Sequence, residues 1–135
     1  MAIEWTEKLT THIQEIDDQH KQLFDIINDL LAAYQEGSEK DKIGAAIDFL
    51  EKYAIIHFDN EESYMRRYDY PESSQHVASH LEFIENLLDI KKRYMLKGMS
   101  RRLMNQTNQM IVNWWLDHIQ KVDKVLGDYL KTKGL

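Results

Sequence analysis

The sequence predicts an all-α protein, an antiparallel up-down-up-down four-helix bundle with an N-terminal arm. Two observations support this prediction. The 135 residues include five glycines and one proline, which are too few for the many turns of a sheet protein. Four long segments also place apolar residues at steps of three and four, the spacing of one helix face. Short connections between long helices make neighbouring helices antiparallel.

Length and composition predict a single domain, with the arm at residues 1–15 and the bundle at 16–135. The chain is 43% hydrophobic and 30% charged, which is typical of globular proteins. Its net charge of −6 argues against a nucleic-acid partner. No apolar run approaches the ~20 residues of a membrane helix, and the start MAIEWTEKL lacks the blocks of a signal peptide. We therefore expect a cytoplasmic protein without a membrane partner, and the sequence identifies no protein partner.

The arm and the first two helices occupy the first half of the chain. In the arm, Trp5, Leu9 and Ile13 are expected to anchor against the bundle. The first helix is predicted from Asp17 to Gln35, with these inward residues: Ile16, His20, Leu23, Phe24, Ile27, Leu30, Leu31 and Tyr34. Ser38 and Asp41 then resemble a capping box for the second helix. This helix runs to about Arg67, with the inward residues Ile43, Ile47, Leu50, Ala54, His57 and Glu61.

The third and fourth helices follow a turn at YDYPE. Pro71 suits the first helical position, where its missing N–H would have no partner anyway. The third helix ends near Lys97, before Gly98, and its inward residues are His76, His80, Phe83, Ile84, Leu87, Leu88 and Tyr94. Ser100 can cap the fourth helix. The inward residues of the fourth helix are Leu103, Met110, Ile111, Trp114, His118, Val122, Leu126 and Tyr129.

Five of the six histidines fall on these inward faces: His20, His57, His76, His80 and His118. His57 and Glu61 are four residues apart, as are His76 and His80, so each pair differs by only about 40° in direction. A lone inward histidine is more often a hydrogen-bonded core residue than a metal ligand. Five would each need a separate partner, because an unpaired buried imidazole costs about 1–3 kcal/mol. A shared metal centre satisfies all five.

The types of ligand narrow the choice of metal. The chain has no cysteine, which excludes iron–sulfur clusters and thiolate zinc. Five histidines are too many for one tetrahedral zinc with an open position, and too rich in nitrogen for calcium or magnesium. Two neighbouring ions bridged by carboxylates fit the count. Such centres inside helix bundles are commonly iron or manganese.

Spacing alone leaves the second bridging carboxylate open. His118 and Asp123 are five residues apart, which on an ideal helix is about 140° of rotation. Asp123 can therefore reach the centre only if the helix is locally unwound or bulged, as in a π-bulge. Asp17, three residues before His20, and Asp117 are competing candidates.

The motifs taken together resemble those of the hemerythrin family. They are D-x-Q-H at 17–20, H-F-x-x-E-E at 57–62, H-x-x-x-H at 76–80 and W-W-L-D-H-I-x-x-x-D at 114–123. The resemblance spans almost the whole chain and is closest to the single-domain bacterial branch, the bacteriohemerythrins. It implies a non-haem centre of two iron ions.

The resemblance also implies a role for each ligand. Three histidines bind one iron and two bind the other, namely His76, His80 and His118, and then His20 and His57. Glu61 and Asp123 bridge the two ions together with an oxo or hydroxo group. The iron with fewer histidines keeps an open position for dioxygen, which small anions can also occupy.

An apolar oxygen pocket is expected beside the ligands. It would comprise residues one, three or four positions from a ligand: Leu23, Phe58, Phe83, Trp114, Trp115 and Ile119. Such a pocket hinders the entry of water and protons, although each residue singly is explained at least as well by core packing. The family commonly has Trp-Leu where this chain has Trp114-Trp115. A second indole there can narrow the pocket or block a tunnel.

These expectations lead to a functional hypothesis and two rivals. The hypothesis is an oxygen-binding protein rather than an enzyme, which binds dioxygen reversibly for carriage, storage, delivery or sensing. The first rival is a di-iron oxidase, peroxidase or nitric-oxide-handling protein with the same ligands. The second rival is a structural bundle without metal.

Overall fold

A computed structural model describes residues 2–37 and 40–135. Its helices are α1 (Gln14–Gln35), α2 (Lys40–Arg67), α3 (Ser73–Lys97), α4 (Arg101–His118) and α5 (Lys124–Thr132). A 3-10 turn at Glu7–Leu9 precedes α1, and a π-helical turn at Ile119–Asp123 joins α4 to α5. Both α1 and α3 pack against α2 and α4. The described residues thus confirm the all-α four-helix bundle, with α4, the π turn and α5 as its fourth helix.

None of the helices in the described ranges is both long enough and apolar enough to cross a membrane.

The first helix begins at Gln14, three residues earlier than predicted. Asp17 therefore lies inside its first turn, where it binds the arm. Its carboxylate accepts hydrogen bonds from the Thr10 hydroxyl at 2.6 Å and from the Thr11 N–H and hydroxyl at 2.8 Å each. Because a carboxylate in the first turn also interacts favourably with the helix dipole, Asp17 both starts α1 and fixes the arm to it.

The turn between α2 and α3 corrects the prediction for Pro71. The third helix begins at Ser73, so Pro71 lies before the helix rather than at its first position. The Ser73 N–H donates to the Tyr70 carbonyl at 3.3 Å. Pro71 is therefore the second residue of a turn, a position that its fixed φ also suits.

Of the three other predicted helix ends and caps, two are confirmed and one lies outside the described residues. Gly98 ends α3 with a φ of 75°, as predicted. The Ser100 hydroxyl accepts a hydrogen bond from the Leu103 N–H at 3.0 Å, so Ser100 caps α4. The predicted capping box at Ser38 and Asp41 lies outside the described residues and side chains.

The apolar core has two parts that flank the inward histidines. The larger part joins all four helices, and a smaller one packs Ile13 and Ile16 against Met65 and the end of α5. One predicted core residue is wrong, because Leu88 is 45% exposed. Leu87, which was also predicted to face inward, is fully buried, and one residue along a helix is a rotation of about 100°.

A close approach between α5 and the arm provides a test of the fold. A Cβ atom added to Gly127 would lie 2.2 Å from the Thr11 carbonyl oxygen. We predict that Gly127→Ala lowers the free energy of unfolding by about 1–3 kcal/mol, because the backbone of the arm must move. Urea denaturation of the two proteins measures this difference.

Gly44→Ala is the matched control. Its added Cβ would meet the Tyr94 ring at no less than 3.4 Å, and alanine has the higher helix propensity, worth up to about 1 kcal/mol. We expect equal or slightly higher stability. Equal stabilities for Gly127→Ala and the wild type would contradict the tight packing of the arm on α5.

Candidate metal centre

The structure brings together all seven side chains that were predicted as metal ligands. They come from every helix of the bundle: His20 on α1, His57 and Glu61 on α2, His76 and His80 on α3, His118 on α4, and Asp123 at the end of the π turn. All seven are buried, with at most 3% of their surface exposed. The polar residues thus form one cluster inside an otherwise apolar core.

The π turn explains how Asp123 reaches this cluster. A π turn holds one more residue than an α turn, so the five-residue step from His118 returns to the same face. His118 Nε2 lies 3.0 Å from Asp123 Oδ1. The bulge that spacing required for Asp123 is therefore present at Ile119–Asp123. The competitors lie elsewhere, since Asp17 binds the arm and Asp117 is exposed.

The seven residues form two overlapping groups. Both groups contain the carboxylates of Glu61 and Asp123. The first group adds three histidines, His76, His80 and His118. The second group adds two, His20 and His57. Within each group the potential ligand atoms lie within 4.8 Å of one another. This is the three-and-two division of the histidines that the resemblance to the hemerythrins implies, while the role of each residue as a ligand stays a prediction.

The separations between these atoms suit metal ligands. The Nε2 atoms approach the carboxylate oxygens at distances from 2.9 Å, between His20 and Asp123, to 3.6 Å, between His57 and Glu61. Two ligands that lie at about 2.1 Å from one ion and 90° apart are about 3 Å from each other. The separations therefore match neighbouring ligands around octahedrally coordinated ions.

Several atoms of the cluster lack a hydrogen-bonding partner, which supports the same interpretation. Among the described residues, these buried atoms include Nε2 of His20, His57 and His118, and both Oδ atoms of Asp123. Their close contacts are not aligned as hydrogen bonds. Buried polar atoms without partners are rare and destabilising. A cation between them would satisfy these atoms, so the residues fit a metal site.

The electrostatics of the cluster favour positive charge. Burial lowers the pKa of His76, but the nearby carboxylates of Asp123 and Glu61 outweigh it and raise the pKa to about 10. In the same way Asp123 overcomes the effect of burial and raises the pKa of His20. His57 differs, because burial lowers its pKa to about 4 despite the opposing effect of Glu61.

The two carboxyl groups are ionised. Burial and the charge of Asp123 would raise the pKa of Glu61, but His57, His76 and His80 lower it to about 2. The pKa of Asp123 is lowered well below its usual range by the imidazoles of His118 and others, although burial acts against this. Two carboxylates without full compensation leave room for cationic charge, and metal binding would replace protons on the imidazoles.

Three polar side chains hold the outer nitrogens of the histidine rings. The Nδ1 contacts are His57 to Gln19 Oε1 at 2.6 Å, His80 to Glu62 Oε2 at 3.0 Å and His118 to Ser79 Oγ at 2.9 Å. The amide and carboxylate oxygens can only accept, so Nδ1 of His57 and His80 carries the proton. With Nδ1 held in this way, Nε2 of each ring faces the centre, an arrangement typical of metal-binding histidines.

These three orienting partners are not among the residues predicted from the sequence. Gln19 and Ser79 directly precede His20 and His80, yet each holds a histidine from another helix. Glu62 follows Glu61 in the same motif and orients His80 across the α2–α3 interface. In the sequence these residues stand out only by their places within the histidine motifs. Each one meets its histidine only when the helices pack, so the pairs could not be read from spacing.

Aromatic rings stack on two of the histidines. The Phe58 ring lies 4.0 Å from that of His80 with an angle of 12° between the planes. The Trp114 ring lies 4.3 Å from that of His118 at 13°. Phe58 is buried, whereas Trp114 is half-buried and lies at the protein surface. These stacks restrict the orientation of the imidazoles.

Trp115 is fully buried and lies among three of the histidines. Its ring centre lies 5.8 Å from that of His57 and 6.2 Å from those of His20 and His118. Phe83 packs against it at 5.3 Å. The remaining residues of the predicted pocket, Leu23 and Ile119, are buried in the same core cluster. The function of this apolar wall as an oxygen pocket stays a prediction.

Comparisons with known proteins agree with this geometry. The family profile of the hemerythrin HHE cation binding domain matches residues 11–130. The chain is 31% identical over 129 residues to a bacteriohemerythrin of Methylococcus capsulatus, covering 95% of this chain and 96% of the relative. It is 26% identical to a myohemerythrin of Theromyzon tessulatum, covering 89% and 87% of the two chains. A crystal structure of wild-type hemerythrin matches with a TM-score of 0.86 and 30% identity, covering 96% and 98%.

The orienting contact of Ser79 can be tested by substitution. We predict that Ser79→Ala lowers metal affinity by about 10- to 100-fold, because His118 Nδ1 loses its partner. Competition titration of the metal-free protein with Fe²⁺ and a chelator of known affinity measures the change.

Ser74→Ala is the control, because Ser74 is an exposed residue of the same helix. We expect it to bind metal as the wild type does. Identical affinities for all three proteins would show that the hydroxyl does not support the centre.

Proposed function

Because the chain belongs to the hemerythrin family, we propose that it binds dioxygen reversibly at a centre of two iron ions. The observation that best supports this is the pair of buried ligand groups that share Glu61 and Asp123. When bound, the two ions would supply the electrons that hold dioxygen and take them back on release. The protein would act as a carrier, store, delivery protein or sensor of oxygen rather than as an enzyme.

The proposal assigns each side chain a part. Three histidines would hold one iron and two the other: His76, His80 and His118, and then His20 and His57. Glu61 and Asp123 would bridge the ions. The second ion then has one histidine fewer, and we propose that dioxygen or a small anion enters on that side.

The apolar wall supports reversibility on the same side. The Trp115 ring lies nearer to His57, at 5.8 Å, than to His20 and His118, each at 6.2 Å, and His57 belongs to the smaller group. Bound oxygen is lost irreversibly when water and protons reach it, so a carrier needs a dry site. Trp115 and Phe83 are both fully buried, and their rings would exclude water from that position.

The absorption spectrum of the iron-loaded, reduced protein tests the proposed function. We expect a visible band that appears with oxygen and disappears on degassing over repeated cycles, with about two irons per chain by elemental analysis. Rapid one-way oxidation with consumption of added peroxide would indicate a di-iron enzyme instead. Near-zero iron in the purified native protein would indicate a bundle without metal.

Trp115→Leu tests the role of the buried indole. The smaller side chain restores the residue common in the family and leaves space for water near His57. We predict faster oxygen exchange and faster autoxidation, by about tenfold, which corresponds to a barrier lower by about 1.4 kcal/mol. Stopped-flow release of oxygen and the decay of the oxygenated spectrum measure the two rates.

Trp5→Leu serves as the control, because it removes an indole from the half-buried arm rather than from the centre. Its rates should equal those of the wild type. If Trp115→Leu also leaves both rates unchanged, Trp115 contributes packing alone.

A further inference from the structure

Large apolar side chains are exposed mainly on α2 and α3. Seven of the nine in the described part of the chain lie there: Phe49, Ile55, Ile56, Leu81, Leu88, Met95 and Leu96. The other two are Val125 and Leu135. Exposed apolar residues that group on a globular protein commonly mark an interaction site. The outer sides of α2 and α3 are therefore candidate surfaces for association.

Three of the four exposed large apolar residues of α3 form a straight line along the helix. Leu81, Leu88 and Met95 are seven residues apart and are 57%, 45% and 72% exposed. Residues seven apart on an α-helix point in nearly the same direction. Glu85 and Lys92 lie between them at steps of three and four and are also exposed. We call these five residues the α3 outer stripe.

The apolar face continues from α3 onto α2. The Lys91 ammonium donates to Glu51 Oε1 at 2.9 Å, and the Phe58 ring stacks on that of His80. These contacts place residues 51–58 of α2 at the level of residues 80–91 of α3. Ile55, which is 42% exposed, lies four residues after Glu51 and three before Phe58, so it shares the side of α2 that faces α3 and widens the apolar face.

We propose that the α3 outer stripe binds a second copy of this chain, with the two α3 helices antiparallel about a two-fold axis at Leu88. Leu81 and Met95 are each seven residues from Leu88, about 10.5 Å along the helix. The axis therefore places Leu81 of each copy opposite Met95 of the other. It also brings Glu85 close to Lys92 of the other copy, because these residues lie three before and four after Leu88, a mismatch of one residue or about 1.5 Å along the helix.

The charges identify a second copy as the occupant. The stripe is acidic on one side of Leu88 and basic on the other, so a two-fold axis joins opposite charges at two places. A parallel arrangement would instead join like charges. Neither Glu85 nor Lys92 has an ion-pair partner within the described residues, so both are available. A surface that is complementary to itself forms a closed dimer.

The size of the face predicts a weak dimer. One stripe with the flanking residues of α2 belongs to the low end of specific interfaces, which bury less than about 1,200 Å² in total. Sedimentation velocity of the iron-loaded protein between about 1 µM and about 1 mM covers the affinities of such interfaces. This readout is independent of oxygen binding, so the proposed function and the dimer can fail separately.

Leu88→Glu tests the face itself. We expect it to weaken association by about tenfold or more, because it places a charge at the buried centre of the interface. Val125→Glu is the matched control, since Val125 is 44% exposed and Leu88 is 45% exposed. The control should associate as the wild type does.

Charge reversal tests the antiparallel arrangement. Glu85→Lys alone and Lys92→Glu alone should each weaken association by about two- to fivefold, because like charges then face each other. The double variant should restore it. A wild-type protein that is monomeric at every concentration, or a dimer unaffected by Leu88→Glu, would overturn the proposal. A dimer lost in Leu88→Glu but insensitive to both charge reversals would overturn the two-fold arrangement.

Discussion

Two ionised carboxylates, Glu61 and Asp123, lie fully buried at the middle of the bundle, and the surrounding imidazoles compensate their charge in part. An isolated carboxylate in such surroundings would be strongly destabilising. The five imidazoles that approach them come from all four helices of the bundle, so the charges are compensated only when every helix is in register. The orienting contacts of Gln19, Glu62 and Ser79 with the histidine rings also join different helices, so they too require the correct register. Folding and assembly of the centre are therefore one process.

The π turn is a direct consequence of this constraint. An α-helical path from His118 would direct Asp123 about 140° away from the centre, and a second carboxylate would be missing. The extra residue at Ile119–Asp123 interrupts the regular α-helical hydrogen bonding, and it brings the Asp123 carboxylate to the centre. After the π turn, α5 continues the fourth helix of the bundle, and its Gly127 packs against the arm. A local irregularity thus coexists with close packing on both sides.

Periodicity was sufficient for the helices and for most of the cluster, because core-facing positions recur at fixed steps. The inward histidines stood out since they replaced apolar residues in those positions. Asp123 and Asp17 could not be separated by spacing, because a π turn and a bound arm both depend on tertiary contacts. Leu88 was placed wrongly for a similar reason. An apolar residue of an outer face has the same hydropathy as its core neighbour Leu87, and only packing distinguishes them.

The third helix serves both the centre and the outer face, which limits how the two can interact. His76 and His80 lie on its inner side, and the stripe around Leu88 lies on its outer side. Dimer formation can change the affinity of the centre for what it binds only if the dimer and the monomer hold α3 in different positions. Lys91 ties α3 to α2 through Asp48 and Glu51, at 2.7 and 2.9 Å, but such partly exposed ion pairs contribute little. The buried imidazoles and carboxylates resist a shift of α3 far more strongly, because any shift would separate them. The outer face and the centre should therefore act independently.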